Sequence, residues 1–286
     1  KITGLVYSSF PYSKLTLSNR IFGFALQAKG YIIIRKKYNE NGVKNMSYDY
    51  KGNYGPRTFE EEYATVKGMN NFIARVFSWM FLGLVLTAVV AFLVAGNPYL
   101  VYNIVQNNFL FFGLMIGELA LVAVLSARIT KLKHTTAVGM FLAYAALNGL
   151  TLSILLLAFT GESIAAAFGI TAITFGVMSV YGYVTKADLT RFRSILFMGL
   201  IGTLVLTVVN IFLRSSGMMW FISMLSLFVF LGLTAYDMQK LKGYYFGTEG
   251  DEVLRSNIGI MGALSLYLDF INLFLIFLRL FGRSRD

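Results

Sequence analysis

The stretch SLYLDFINLFLIFLRLF, residues 265–281, decides the fold. It is almost wholly apolar. With the residues before it from Asn257, it is long enough to cross a bilayer as a helix, which takes about 20 residues. Near its middle stands Asp269. A carboxylate at that depth costs roughly 2.5–3.5 kcal/mol on insertion scales, so its presence asks for a reason. Gly262, Ser265, Asp269 and Asn272 fall at helical spacing and share one face of such a helix.

The same texture extends back along the chain. Apolar runs cover roughly 72–95, 109–127, 136–159, 164–184, 195–213, 217–238 and 257–281. Turn or charge signals separate them: GNP at Gly96–Pro98, RITKLKH at Arg128–His134, TGES at Thr160–Ser163, TKADLTRFR at Thr185–Arg193 and RSSG at Arg214–Gly217. The three prolines, Pro11, Pro56 and Pro98, all stand outside the runs, which predicts spans without proline kinks. The chain is 57% hydrophobic and 14% charged, against about 25% charged for a soluble domain. These features predict an all-α membrane protein with seven transmembrane helices over 72–281.

Residues 46–71 read as a polar cytoplasmic segment before the first span, and 282–286 as a short basic tail. Residues 1–45 differ from the rest and show no sustained period. The first methionine is Met46, so 1–45 reads as a leader lying upstream of the working protein. That leader also carries most of the net charge of +11, with eight Lys/Arg against the single acid Glu40. The rest of the chain carries +4, an ordinary value for a membrane protein with basic inner loops, which excludes a nucleic-acid partner and points to the lipid bilayer.

Without cysteine, and with His134 as the only histidine, thiolate chemistry and multi-histidine metal or haem sites are excluded. A bound metal would be a hard, oxygen-liganded cation, and no resident cofactor is expected. Loop charge predicts the orientation. Arg128/Lys131/Lys133, Lys186/Arg191/Arg193 and Lys240/Lys242/Arg255 mark alternate connections as cytoplasmic, together with the N-terminal side. Seven full spans then place the C-terminus outside. Arg279, Arg283 and Arg285 break that pattern, which leaves a re-entrant last segment as the alternative.

Glu118, Asp237 and Asp269 are the carboxylates within or just inside the spans. No lysine sits in the body of a span, which argues against a retinal Schiff base. Asp237 and Asp269 flank a hairpin between the sixth and seventh spans, with a midpoint near Val253, so similar depth is expected. Two close carboxylates cannot both ionise cheaply, and they titrate as one unit. The hydroxyl and amide residues around them, Thr234, Ser265 and Asn272, have two readings. They are glue between helices, or they line a narrow wet path.

LTAYDMQKLK (233–242) and SLYLDFINLFLIFLRLFG (265–282), together with GELALVAVLSARI (117–129), resemble the Bax inhibitor-1 family, also called the transmembrane Bax inhibitor motif family, in its bacterial form. The resemblance covers about 69–282. It implies a last helix at the centre, surrounded by the other six. It also implies a pH-sensitive calcium leak with Asp237 and Asp269 as the sensing pair and a tentative calcium contact. Glu118 matches the acid of the second helix. Arg128 is the candidate for an arginine that latches the closed state.

The expectation is therefore a non-enzymatic cation leak of the bacterial inner membrane, passing calcium or protons and gated by protonation of the pair. The alternative is a protein that binds another membrane protein and modulates a protease or a stress or cell-death pathway without conducting ions. An intramembrane aspartyl hydrolase fits poorly, because Asp237 follows Tyr236 and Asp269 follows Leu268 where that chemistry uses a Gly-Asp motif.

Overall fold

The computed structural model describes residues 59–248 and 250–285 of the chain. The leader 1–45 and much of segment 46–71 lie outside the described residues. The helices are α1 (Phe59–Ala95), α2 (Pro98–Gln106), α3 (Asn108–Arg128), α4 (His134–Ala158), α5 (Gly161–Val184), α6 (Arg193–Leu213), α7 (Ser216–Gly247) and α8 (Glu252–Phe281), with a 3-10 turn at Leu189–Phe192 before α6. All but α2 are long and apolar enough to cross a membrane, and they fall where the seven apolar runs predict. The protein is an integral, multi-pass, all-helical membrane protein.

Several of the breaks between runs hold helix starts because they supply a side-chain cap. Asn107 Oδ1 accepts from Phe109 N at 3.0 Å, and Asp251 Oδ1 accepts from Leu254 N at 2.8 Å. Thr160 and Ser215 cap α5 and α7 in the same way. Such a cap contributes about 1 kcal/mol by satisfying an amide that the helix leaves open. Arg214 ends α6 in the left-handed region, with φ 51°. Helix α2 is the element that hydropathy does not announce. Asn97 caps it, Pro98 occupies a first-turn position, and Val101 and Val105 turn inward one helical turn apart.

Helix α8 is the most buried span, with 94% of its apolar stretch inside the protein. Its principal neighbours are α7, α1, α5 and α4, whereas α6 packs chiefly on α7 and α3 chiefly on α4. At its start, Asn257 Nδ2 donates to Ile129 O (3.1 Å) and Leu132 O (2.7 Å), carbonyls of the α3–α4 connection. At its end, Arg285 N donates to Ala158 O (2.9 Å), and Ser284 bridges Phe159 at the α4–α5 turn. These are opposite ends of α4. The 30 residues of α8, about 45 Å at 1.5 Å per residue, therefore run the full height of the bundle. The re-entrant alternative is not what the chain adopts.

The three basic connections share one end. Gln239 of α7 reaches the α5–α6 connection, donating to Ala187 O (2.8 Å) and accepting from Leu189 N (2.9 Å). Lys242 Nζ donates to Tyr183 O at 2.7 Å. Asn257 joins that end to the connection holding Lys131 and Lys133.

Candidate functional site

Asp237 and Asp269 come from adjacent helices and are both buried, Asp269 with no exposed surface. The turn between α7 and α8 spans 248–251, earlier than the expected midpoint near Val253. The two helices pack closely below the turn, where a Cβ on Gly262 would collide with the Leu241 side chain. Asp237 stands 10 residues before the end of α7 and Asp269 17 residues after the start of α8, so Asp237 is the nearer to the turn. Both aspartates are buried on helices that pack against each other.

The surroundings of Asp237 are aromatic and cationic. Buried Tyr244 interacts electrostatically with Asp237, Tyr236 and Arg193. Lys240 Nζ lies 5.2 Å from the centre of the Tyr244 ring and 6.0 Å from that of Tyr236, within cation–π range. Arg193, at the first turn of α6, read in the sequence only as a loop cation, interacts with the same Tyr244. It stands 44 residues before Asp237 in the chain, and no spacing rule connects them.

Glu118 forms a second buried acidic region, on α3. It has no exposed surface and accepts from Thr151 Oγ1 at 3.0 Å. Its Oε2 takes no hydrogen bond among the described residues, nor does the Oδ1 of buried Asn148. Asn148 Nδ2 donates to Tyr144 Oη at 3.3 Å. The Tyr144 and Tyr267 rings meet edge-on at 5.7 Å, and Tyr267 Oη bonds Thr87 Oγ1 at 2.7 Å. A chain of polar groups thus passes from α3 through α4 to α8 and α1. Tyr144, Asn148 and Thr151 do share one face of α4 at spacings of four and three, but the reading of spans for charge passed over them.

The remaining candidates separate by partner. Thr234 Oγ1 donates to Phe230 O (2.8 Å) and Asn272 Nδ2 to Leu268 O (2.7 Å), both four residues back on their own helices. Ser223, Ser226, Thr171 and Thr207 repeat this back-bonding. Such bonds satisfy a hydroxyl in an apolar interior without a partner from another helix. Ser265 is half-buried on the face of α8 that carries Asp269. Arg128 is exposed at the end of α3 and forms no ion pair among the described residues. No cluster of three or more His, Asp or Glu that could hold a metal ion occurs among the described residues. Chemically, a buried carboxylate can hold and release a proton or offer its oxygens to a hard cation.

The family described as "Inhibitor of apoptosis-promoting Bax1" matches residues 69–286. The inner membrane protein YbhL of Escherichia coli K12 is 47% identical over 221 residues, covering 76% of this chain and 94% of the relative. An uncharacterized protein of Deinococcus radiodurans is 44% identical over 223 residues, 78% of this chain and 94% of its own. One from Borreliella burgdorferi is 42% identical over 217 residues, with coverage of 76% and 94%.

Proposed function

The chain belongs to the Bax inhibitor family, and on that premise we propose that it is a passive, pH-sensitive cation leak of the bacterial inner membrane, gated at Asp237 and Asp269. The observation that carries this reading is Asp269, fully buried on α8, a helix that packs against α7 and its buried Asp237. A buried carboxylate is costly in a membrane, and a second one beside it makes the charge of the pair, and so the fit of the two helices, dependent on pH. A hard cation is the species that carboxylate oxygens favour. Calcium in particular is carried over from the family resemblance. Two carboxylates are too few for a tight calcium site, which takes six to eight oxygens, and they suit an ion in passage. The basic connections gathered at one end support a cytoplasmic placement of that end.

Calcium flux into liposomes containing the purified protein, measured over a pH series, tests the reading. The wild type should show one pH-dependent transition. Asp237→Asn and Asp269→Asn should each flatten it, and the double variant should add little, because the pair acts as a unit. An unchanged pH profile in both single variants would leave the aspartates as bonds between helices.

A further inference from the structure

A cavity of about 530 Å³ opens at the end of the bundle that carries the basic connections, bordered by α1, the start of α4, the end of α7 and the start of α8. Its lining is divided in kind. Phe72, Val76 and Trp79 of α1 give an apolar and aromatic wall, while Arg75, Arg255 and His134 bring polar, basic groups to it. Glu252 is the one acid among its lining residues.

The two arginines differ in how they are held. Arg255 is fixed by Thr248, donating from Nη2 to its carbonyl at 3.1 Å and from Nε to its hydroxyl at 3.4 Å. Its guanidinium lies 4.8 Å from the centre of the Tyr245 ring. Those bonds use two of the five N–H donors of an arginine, so further donors remain for a ligand. Arg75 is exposed and makes no ion pair or side-chain hydrogen bond among the described residues. His134 is steadied by Ser256 Oγ and Asn257 Oδ1, each 3.2 Å from its Nδ1. Helix α4 begins at this histidine without a side-chain cap, so its first amides also face the cavity end of the helix.

We propose that this cavity binds the phosphate of an anionic membrane phospholipid, with Arg75 and Arg255 as the phosphate ligands. Guanidinium is the side chain best matched to phosphate oxygens, through paired N–H donors. Two arginines against one acid give the site a net positive charge. The apolar wall favours a lipid over a soluble phosphate. Phe72 and Val76 continue into the first membrane span, and Trp79 is of the kind enriched where headgroup meets hydrocarbon. A lipid seated there would touch α1 and α8 at once. This site stands apart from the aspartate seam and does not depend on ion conduction.

Tryptophan fluorescence tests it. The chain has two tryptophans, and Trp220 lies in the first turns of α7, at the other end of the bundle. In a Trp220→Phe background Trp79 alone reports. The protein is placed in nanodiscs of phosphatidylcholine containing a minority of brominated phosphatidylglycerol or of brominated phosphatidylcholine. Phosphatidylglycerol should quench Trp79 more strongly. Arg75→Gln, at an exposed position that leaves folding intact, should lower that preference about fivefold, the effect of one arginine at an anionic surface. Arg255→Gln should do the same, and the two together should abolish it. Lys131→Gln, exposed at the same end but outside the cavity, should leave it unchanged. Equal quenching by the two lipids, a preference that survives Arg75→Gln, or an equal loss in Lys131→Gln would overturn the site. Relief of quenching by millimolar inorganic phosphate would overturn the lipid assignment in favour of a free anion.

Discussion

Helices α8 and α5 are about equally apolar, yet 94% of the apolar stretch of α8 is buried and only 22% of that of α5. In water such a difference would be written in the hydropathy. In a bilayer it is not, because lipid chains are as apolar as leucine and an apolar side chain gains little by leaving them for protein. What separates the two helices is how they meet their neighbours. In α5, Ala167, Thr171, Phe175, Ser179 and Gly182 form a narrow inward stripe, while Ile173, Val177, Val180 and Val184 face outward. Helix α8 packs against four helices, α7, α1, α5 and α4. Its small residues Gly259 and Ala263 are buried along with its large ones, and Gly262 lies against Leu241.

The sharpest test of that contrast lies on the less buried helix. A Cβ at Gly182 would collide with the backbone carbonyl of Ala235, which no rotamer change can move aside. Gly182→Leu should cost about 3 kcal/mol or more and prevent assembly, read as loss of a monodisperse folded species in detergent. A Gly182→Leu protein as stable as wild type would break the idea that the inward stripe fixes α5.

Next in size is a matched pair. Leu273 of α8 has no exposed surface, and Leu273→Ala should cost roughly 3 kcal/mol in reversible unfolding. Ile173 of α5 is 70% exposed, and Ile173→Ala should stay within about 0.5 kcal/mol. Similar costs for the two would mean that burial in the protein and burial in lipid count alike.

A smaller effect belongs to Tyr267, whose hydroxyl joins α8 to Thr87 of α1. Tyr267→Phe should lose about 1 kcal/mol, because Thr87 Oγ1 keeps its bond to Ala145 O at 2.8 Å and is not stranded. The smallest change is expected just beyond α5. The Thr190 hydroxyl holds the Asp188 carboxyl below its usual range against the opposing effect of burial, with help from the Thr190 N–H and Arg191. A lowered carboxylate stabilises the turn above its unfolded-state value, near 4, and that contribution is lost as pH falls through the lowered folded-state value. The protection factor at Thr190, the exchange rate corrected for its intrinsic pH dependence, should therefore fall in that acid window, and Asp188→Asn should remove the change. A protection factor that is flat with pH in the wild type would show the turn to be held by other contacts.

The sequence makes the spans legible because membrane thickness imposes a length and a composition that local text cannot hide. It makes Asp237 and Asp269 legible because a carboxylate in such text stands out. Glu118 was visible for the same reason, but its partners were not, since Thr151, Tyr144 and Tyr267 are ordinary residues until α3, α4 and α8 are brought together. Arg75, His134 and Arg255 come from three distant stretches, so the cavity they border has no signature along the chain. The depth of the aspartates was misjudged by one physical detail: the hairpin turns at 248–251, before the midpoint of the pair. Helix α2 was missed because nine residues cannot reach across a bilayer, and a search for spans passes over what is too short to be one.

The position of α8 also has a consequence for how the protein is made. A ribosome releases its chain from the N-terminal side, so the span with the most intimate set of neighbours is also the last of the seven to be synthesised. Until it arrives, the faces of α1, α4, α5 and α7 that will receive it have no mate. Assembly therefore cannot finish helix by helix in order of emergence. The earlier spans must wait in the membrane as an open groove, with the insertion machinery or lipid as a temporary occupant, and a nascent chain stalled after Gly247 should be held as a substrate for quality control.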